Sequence, residues 1–177
     1  MFLSKFFTTF GLICLILAGI LLWQRNNPRR VMFLFAPPQN EIKSPVKKNL
    51  PTRLIIKNLN IDLEIFPAKV TGQNWDTTSL GVSWLDISPV PGEKGNSIIY
   101  GHNWTNLLGS LFKAKPGDTI EIAYQNAPNK IFTIEKTAMV SPDNVSVLNQ
   151  TENVSLTIYT CAGLFDEKRF VVIGALN

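Results

Sequence analysis

The chain has few of the side chains that bind metals or form disulfides. Among 177 residues it has one histidine, His102, and two cysteines, Cys14 and Cys161. A zinc site would then need mostly carboxylate ligands, whereas protein zinc sites are built largely from Cys and His. The sequence also lacks a glycine-rich phosphate loop and an internal repeat. We therefore expect neither a metal site nor a bound cofactor.

Negative charge is scarce at the N-terminal end. Residues 1–50 contain seven Lys/Arg and one Asp/Glu, a net charge of +6. Residues 51–177 contain ten Lys/Arg and twelve Asp/Glu, a net charge of −2. The larger part of the chain therefore lacks the basic surface that binding to nucleic acid requires, and no nucleic-acid partner is expected. A basic stretch beside anionic lipid headgroups is the simpler use of the N-terminal charge.

One long apolar run lies near the N-terminus. Residues 6–23 contain no charge, and 18 residues just suffice for a membrane-spanning helix. Trp23 lies where an interfacial aromatic residue is expected. A cleaved signal peptide is the alternative, but the bulky residues 21–25 offer no cleavage site of small residues. We predict an uncleaved anchor, in which Cys14 faces lipid and cannot form a disulfide with Cys161.

The rest of the chain divides into a linker and one domain. Four prolines and few apolar residues in 36–52 are typical of an extended linker. Phe33, Leu34 and Phe35 precede it and are candidates for the membrane interface. The residues that follow are enough for one hydrophobic core. The predicted organisation is a cytoplasmic N-terminus at 1–5, a transmembrane helix at 6–23, a juxtamembrane segment and linker at 24–52, and a domain at 53–177.

The domain has the pattern of an all-β protein. Only residues 106–113 and 145–150 look like short helical turns. Many short strands joined by turns predict a barrel or a sandwich. The predicted strands are 53–56, 61–65, 81–85, 97–102, 119–124, 131–140, 154–161 and 169–175.

The strand at 154–161 ends on a candidate nucleophile. Val154, Leu156 and Ile158 share one face of this strand, and Cys161 belongs to the other, less apolar face. A thiol at a strand end that faces away from the core is placed to react. A free cysteine is more often buried and structural. Parity argues against burial, and both interpretations stay open on this strand alone.

His102 and Arg169 also lie at strand ends. His102 comes after a strand-like run and after Gly101, which favours a sharp bend. Arg169 opens the last apolar run, and only seven residues separate it from Cys161, as expected for neighbours across a hairpin. A cation beside a thiol favours the thiolate or donates to a developing oxyanion. The alternatives are a structural histidine and a solvent-exposed arginine.

The order His, Cys, Arg resembles the sortase family. Residues 157–161, Thr-Ile-Tyr-Thr-Cys, are similar to the family's Thr-Leu-x-Thr-Cys signature, and Tyr-Gly-His at 100–102 is similar to its approach to the catalytic histidine. The resemblance covers 53–177, with the subclass nearer class D, E or F than class B. It implies an all-β fold, a closed eight-stranded barrel with one or two short helices, preceded by the transmembrane helix.

The resemblance also implies an activity, that of a cysteine transpeptidase. Such an enzyme cleaves a C-terminal sorting signal of the LPxTG kind in surface proteins and holds the acyl group as a thioester on Cys161. It then transfers the acyl group to an amine of a cell-wall precursor or a pilin lysine. His102 and Arg169 are the other expected catalytic residues. Thr160, Asn103 and Tyr159 are candidates for substrate binding.

The predicted location follows the same resemblance. It implies a single-pass membrane protein with its catalytic domain outside the cytoplasm. The positive-inside rule favours the opposite, because Arg25, Arg29 and Arg30 follow the apolar run and only Lys5 precedes it. We follow the resemblance.

Two other functions are considered. One is a catalytically silent, membrane-tethered β-barrel that binds peptides. The other is a cysteine hydrolase of another fold, but those families commonly place the cysteine before the histidine at a helix start. Here the histidine comes first and the cysteine ends a strand.

Overall fold

The structure, a computed structural model, describes residues 2–25, 31–34, 49–71 and 74–177. Most of the predicted linker, at 26–30 and 35–48, lies outside these residues. Four short 3₁₀ helices lie in the described part of the chain, at Lys57–Leu59, Leu108–Lys113, Val145–Leu148 and Leu164–Asp166. One α-helix, α1, and ten strands account for the rest of its regular structure. In chain order these elements are α1 Phe2–Arg25, β1 Pro51–Ile56, β2 Ile61–Ala68, β3 Val70–Thr71, β4 Asn74–Trp75, β5 Val82–Leu85, β6 Gly95–Gly101, β7 Thr119–Tyr124, β8 Lys130–Val140, β9 Val154–Ala162 and β10 Lys168–Leu176.

Helix α1 carries the long apolar run. Its stretch Lys5–Gln24 is long and apolar enough to cross a membrane. The large apolar side chains between Phe6 and Trp23 are exposed. A helix that is apolar on all sides is stable when protein or lipid covers it, so this exposure agrees with a membrane anchor.

Eight of the strands close into a barrel, which confirms the predicted fold. Their order around it is β1-β2-β5-β6-β9-β10-β8-β7. Most neighbours are antiparallel, whereas β2 pairs with β5 and β6 pairs with β9 in parallel. The sequence did not predict the hairpin of β3 and β4. Each of these strands has two residues, too few for a periodic pattern.

The core fills the inside of the barrel. Leu156 and Ile158 of β9 point into it, as their parity predicted, and they pack with Ile99 of β6 and Val172 of β10. All four side chains are fully buried. Burying each contributes roughly 1.5–3 kcal/mol, which explains why the register of these three strands is well defined.

The outer face of β6, β9 and β10 is covered as well. Residues 31–34, here called the covering segment, lie on it, and Phe33 meets the ring of Tyr159 edge-on at 4.8 Å. Trp75 packs in the same way on Tyr100, with 5.5 Å between ring centroids. The expectation that Phe33 lies at the membrane interface is therefore wrong, because its side chain is only 1% exposed. Leu34 is 80% exposed, and Phe35 lies outside the described residues.

Candidate active site

Strand pairing brings three of the predicted residues to one end of the barrel. The parallel register pairs Gly101 with Thr160, so the next residues along the two strands are His102 and Cys161. On the other side of β9, Arg169 is the direct antiparallel partner of Cys161. Neighbouring strands lie about 4.8 Å apart, and paired residues point to the same face. The hairpin that the sequence predicted between Cys161 and Arg169 is confirmed.

A cavity of about 240 Å³ lies at this end of the barrel. Its volume falls slightly below the roughly 300–1,000 Å³ of typical ligand pockets. It brings His102, Cys161 and Asn103 together, whereas Arg169, Thr160 and Tyr159 do not line it. Among the described residues, the others that line it are Leu21 and Gln24 from the end of α1, Trp104, Phe165 and Asp166.

Cys161 is buried, which corrects the expectation from parity. Its side chain does lie on the face opposite to Ile158, as predicted, but it is only 2% exposed. The alternation of residues predicted the correct face of β9 for Cys161, but it carries no information about the residues that cover this face. Phe33, in the covering segment, and Trp75 belong to the same apolar cluster as Cys161. The thiol therefore meets other groups through the cavity rather than through open solvent.

Arg169 is also buried, at 2% exposure, so the alternative of a solvent-exposed charge is wrong. Its Nη1 donates to the main-chain oxygens of Asp166 and Lys168, both at 2.8 Å. Its Nη2 donates to the main-chain oxygen of Met32 at 2.6 Å. The guanidinium also lies 6.0 Å from the ring centre of Phe33.

One nitrogen of the Arg169 guanidinium, Nε, makes no hydrogen bond to the described residues. This Nε–H group is buried. A buried unpaired donor costs about 1–3 kcal/mol, so each such group calls for an explanation. A guanidinium that is fixed by three carbonyl groups and keeps an unpaired Nε–H is suited to donate a hydrogen bond to the carbonyl oxygen or oxyanion of a bound molecule.

His102 lies under an aromatic ring. Its side chain is 7% exposed, and the Trp104 ring stacks on it with centroids 4.5 Å apart and planes inclined by 11°. Burial lowers the pKa of His102 below its ordinary value, and the charge of Asp166 opposes this shift. The neutral imidazole is thereby favoured, the form that accepts a proton from a thiol.

The loop between β9 and β10 is short and strained. Phe165 and Asp166 have positive φ angles of 60° and 61°, and Gly163 has 81°. Left-handed backbone at residues other than glycine is uncommon and costs of order 1–3 kcal/mol per residue. This turn brings Asp166 to the cavity. Sequence reasoning did not select Asp166, whose only signal was its position between the cysteine and the arginine.

The three candidates for substrate binding have different surroundings. Asn103 is partly exposed and borders the cavity. Thr160 is buried on the barrel side of β9, where its hydroxyl donates to the Gly101 oxygen at 2.8 Å. Tyr159 is buried between Phe33 and Tyr100, and burial raises its pKa well above the ordinary value. Thr160 and Tyr159 therefore hold the strands and the covering segment together.

Comparison with known proteins gives the same family along most of the chain. A family model described as the Sortase domain matches residues 54–177. Sortase A of Listeria monocytogenes is 27% identical over 129 residues, which cover 70% of this chain and 55% of the relative. Sortase A of Bacillus anthracis is 28% identical over 134 residues, which cover 73% of this chain and 61% of that relative. The chain thus spans less than two thirds of the length of these two relatives.

Solved structures share the fold. The crystal structure of L. monocytogenes sortase A superposes with a TM-score of 0.59 at 24% identity, covering 71% of this chain and 86% of that one. A sortase D5 transpeptidase of Clostridium perfringens gives a TM-score of 0.61 at 23% identity, with coverages of 72% and 78%. These structures, of sortase types A and D, show the shared fold and assign no subclass.

Proposed function

The chain belongs to the sortase family, and on that premise we propose that it is a membrane-anchored cysteine transpeptidase. Its substrates would be surface proteins with an LPxTG-like C-terminal sorting signal, and its acceptor an amine on the cell wall or on a pilin. The observation that carries the proposal is the strand register, which sets Cys161 opposite Arg169 and beside His102. Residues 53–177 would form the catalytic domain outside the cytoplasm, and residues 6–23 the anchor.

The first half of the reaction is acylation. His102 takes the proton from the Cys161 thiol, and the thiolate attacks the carbonyl carbon of the scissile peptide bond. The C–N bond breaks, the imidazolium gives its proton to the leaving amine, and the acyl group stays on sulfur as a thioester. The acceptor amine then attacks the thioester carbon and gives a proton to His102. A new C–N bond forms, the C–S bond breaks, and His102 returns the proton to the Cys161 sulfur.

Arg169 would stabilise the charge on the carbonyl oxygen. Its unpaired Nε–H is the donor available for that oxygen, while three main-chain carbonyl groups hold the guanidinium in place. Losing one such donor typically costs about 3 kcal/mol in the transition state. The Arg169 side chain is buried under the covering segment, so this segment has to move for substrate to reach Nε.

The same burial favours one alternative, a silent barrel that binds peptides. In that case the Cys161 thiol has no chemical role, and its low exposure is simply that of a core residue. The two functions differ in whether a covalent adduct forms on Cys161.

The test uses the full chain in lipid nanodiscs, incubated with a library of sorting-signal peptides with and without an added amine. Intact-mass spectrometry should detect a thioester that disappears on transfer to the amine. Cys161→Ala should abolish the adduct, whereas Cys14→Ala, the same change at the other cysteine, should leave it unchanged. Peptide binding without an adduct in any reaction would instead establish the silent barrel. Turnover by Cys161→Ala would refute the assignment of the nucleophile.

A further inference from the structure

A ring stack, rather than a hydrogen bond, orients His102. In many cysteine and serine enzymes a carboxylate or amide hydrogen-bonds the histidine and fixes its orientation. Here neither ring nitrogen of His102 has a hydrogen-bond partner among the described residues, and Asp166 acts on it only through its charge. The close contact of the imidazole is the indole of Trp104, almost parallel to it at 4.5 Å.

The main chain holds both rings in place. The Trp104 oxygen accepts hydrogen bonds from the amides of Leu107 and Gly109, both at 2.9 Å, and the His102 oxygen accepts one from Leu108 at 3.1 Å. These amides lead into the short 3₁₀ helix Leu108–Lys113. The turn also requires glycine at Gly109, because a Cβ there would lie 2.6 Å from the Trp104 oxygen.

The stack lies on the reaction path. Trp104, His102 and Cys161 all border the same cavity. A histidine that moves a proton from sulfur to a leaving amine must keep one nitrogen aimed at the reacting atoms. Rotation of the ring about its χ2 angle would turn that nitrogen away, and a parallel indole restricts this rotation. An indole face also attracts a cation more strongly than other aromatic rings do, which suits the imidazolium intermediate.

We propose that Trp104 is a positioning residue for His102, which holds the plane of the imidazole for proton transfer at Cys161. The inference rests on the proposed transpeptidase function. In this role Trp104 acts through His102 rather than on the reacting atoms. An aromatic ring of smaller size should therefore replace it in part, whereas an aliphatic side chain of similar length should not.

The test compares Trp104→Phe, Trp104→Met and Trp104→Leu in the full chain. The kcat of the aliphatic variants should fall about tenfold to a hundredfold, and their KM should change by less than about threefold. This loss in kcat is part of the ~10²–10⁴-fold rate enhancement that general acid–base catalysis typically contributes. Trp104→Phe should recover most of the rate. The control is Trp84→Leu, which removes a buried tryptophan of the barrel core that does not line the cavity. It should lower the melting temperature without lowering kcat in this way.

A second substrate separates positioning from packing. When an ester replaces the scissile amide, the leaving alcohol needs less help from a proton donor, so the loss in the aliphatic variants should shrink. An equal loss on both substrates, a loss confined to KM, or no recovery with phenylalanine would overturn the inference. If Trp104→Leu has an unchanged kcat while the unmodified chain forms a thioester, the positioning role of Trp104 is refuted and the proposed function stands. No thioester on the unmodified chain overturns the proposed function as well.

Discussion

Replacing Phe33 by alanine should expose Cys161 to reagents in solution. Phe33 is 1% exposed and packs on Tyr159 and beside the guanidinium of Arg169. Removing a buried phenylalanine side chain costs about 3–5 kcal/mol in a protein core. The covering segment has other attachments besides Phe33, including the buried side chains of Val31 and Met32. They also include the hydrogen bond from Leu34 to the Pro142 oxygen at 2.9 Å and the one that Met32 accepts from Arg169.

The loss in docking free energy sets the size of the effect. Taking the low end, about 3 kcal/mol, the population with the segment detached rises more than a hundredfold, since each 1.4 kcal/mol is a factor of ten. When opening and closing are faster than the chemical step, the alkylation rate of a covered thiol is proportional to that population. Cys161 in Phe33→Ala should then react with iodoacetamide about a hundred times faster than in the unmodified chain.

The assay measures alkylation at Cys161 by peptide mapping, which separates it from Cys14. Leu34→Ala is the matched control, because this neighbour is 80% exposed and its backbone hydrogen bond is kept. Its alkylation rate should equal that of the unmodified chain. Equal rates in Phe33→Ala and the unmodified chain would refute the reasoning, since the burial of Cys161 would then not depend on the covering segment.

Three further predictions concern the site. Thr160→Val should destabilise the fold by about 1–3 kcal/mol in urea unfolding, because the Gly101 oxygen loses its buried hydroxyl partner, and a value near zero would contradict this. Asn103→Ala should raise KM for the signal peptide with little change in melting temperature, and an unchanged KM would remove Asn103 from substrate binding. Burial lowers the pKa of His102, so the unfolded chain binds a proton at this residue more readily than the folded chain does. The free energy of unfolding should therefore fall as the pH drops below about 6.5 and on through the lower pKa of the folded state. In urea unfolding measured against pH, His102→Gln should flatten this decrease.

The strands were predictable because each has one face in the barrel interior. Alternation at Val154, Leu156 and Ile158 is a local property of the sequence, and β9 runs Val154–Ala162, one residue beyond the predicted 154–161. The same pattern suits a sandwich equally well, so closure into a barrel followed from the family resemblance alone. Pairing of β6 with β9 joins residues about 60 positions apart, which local periodicity does not encode.

The burial of the site was not predictable from the strand pattern. Whether Cys161 is exposed depends on residues 31–33, which lie more than a hundred positions earlier in the chain. Phe33 looked like a membrane-facing residue because its own neighbours are apolar. His102 and Trp104 are two residues apart, and a parallel stack at this spacing needs the turn at Gly109, whose close approach to Trp104 appears only in three dimensions.

If the proposed function holds, the position of the cavity beside helix α1 would determine how a substrate arrives. Leu21 and Gln24, which line the cavity, belong to the last turns of the apolar stretch Lys5–Gln24. In a bilayer, this end of a spanning helix lies where hydrocarbon gives way to headgroups. With α1 in a bilayer, a peptide anchored in the same bilayer would meet the cavity by lateral diffusion in two dimensions. The length of its tether, rather than its bulk concentration, then sets how often the two meet.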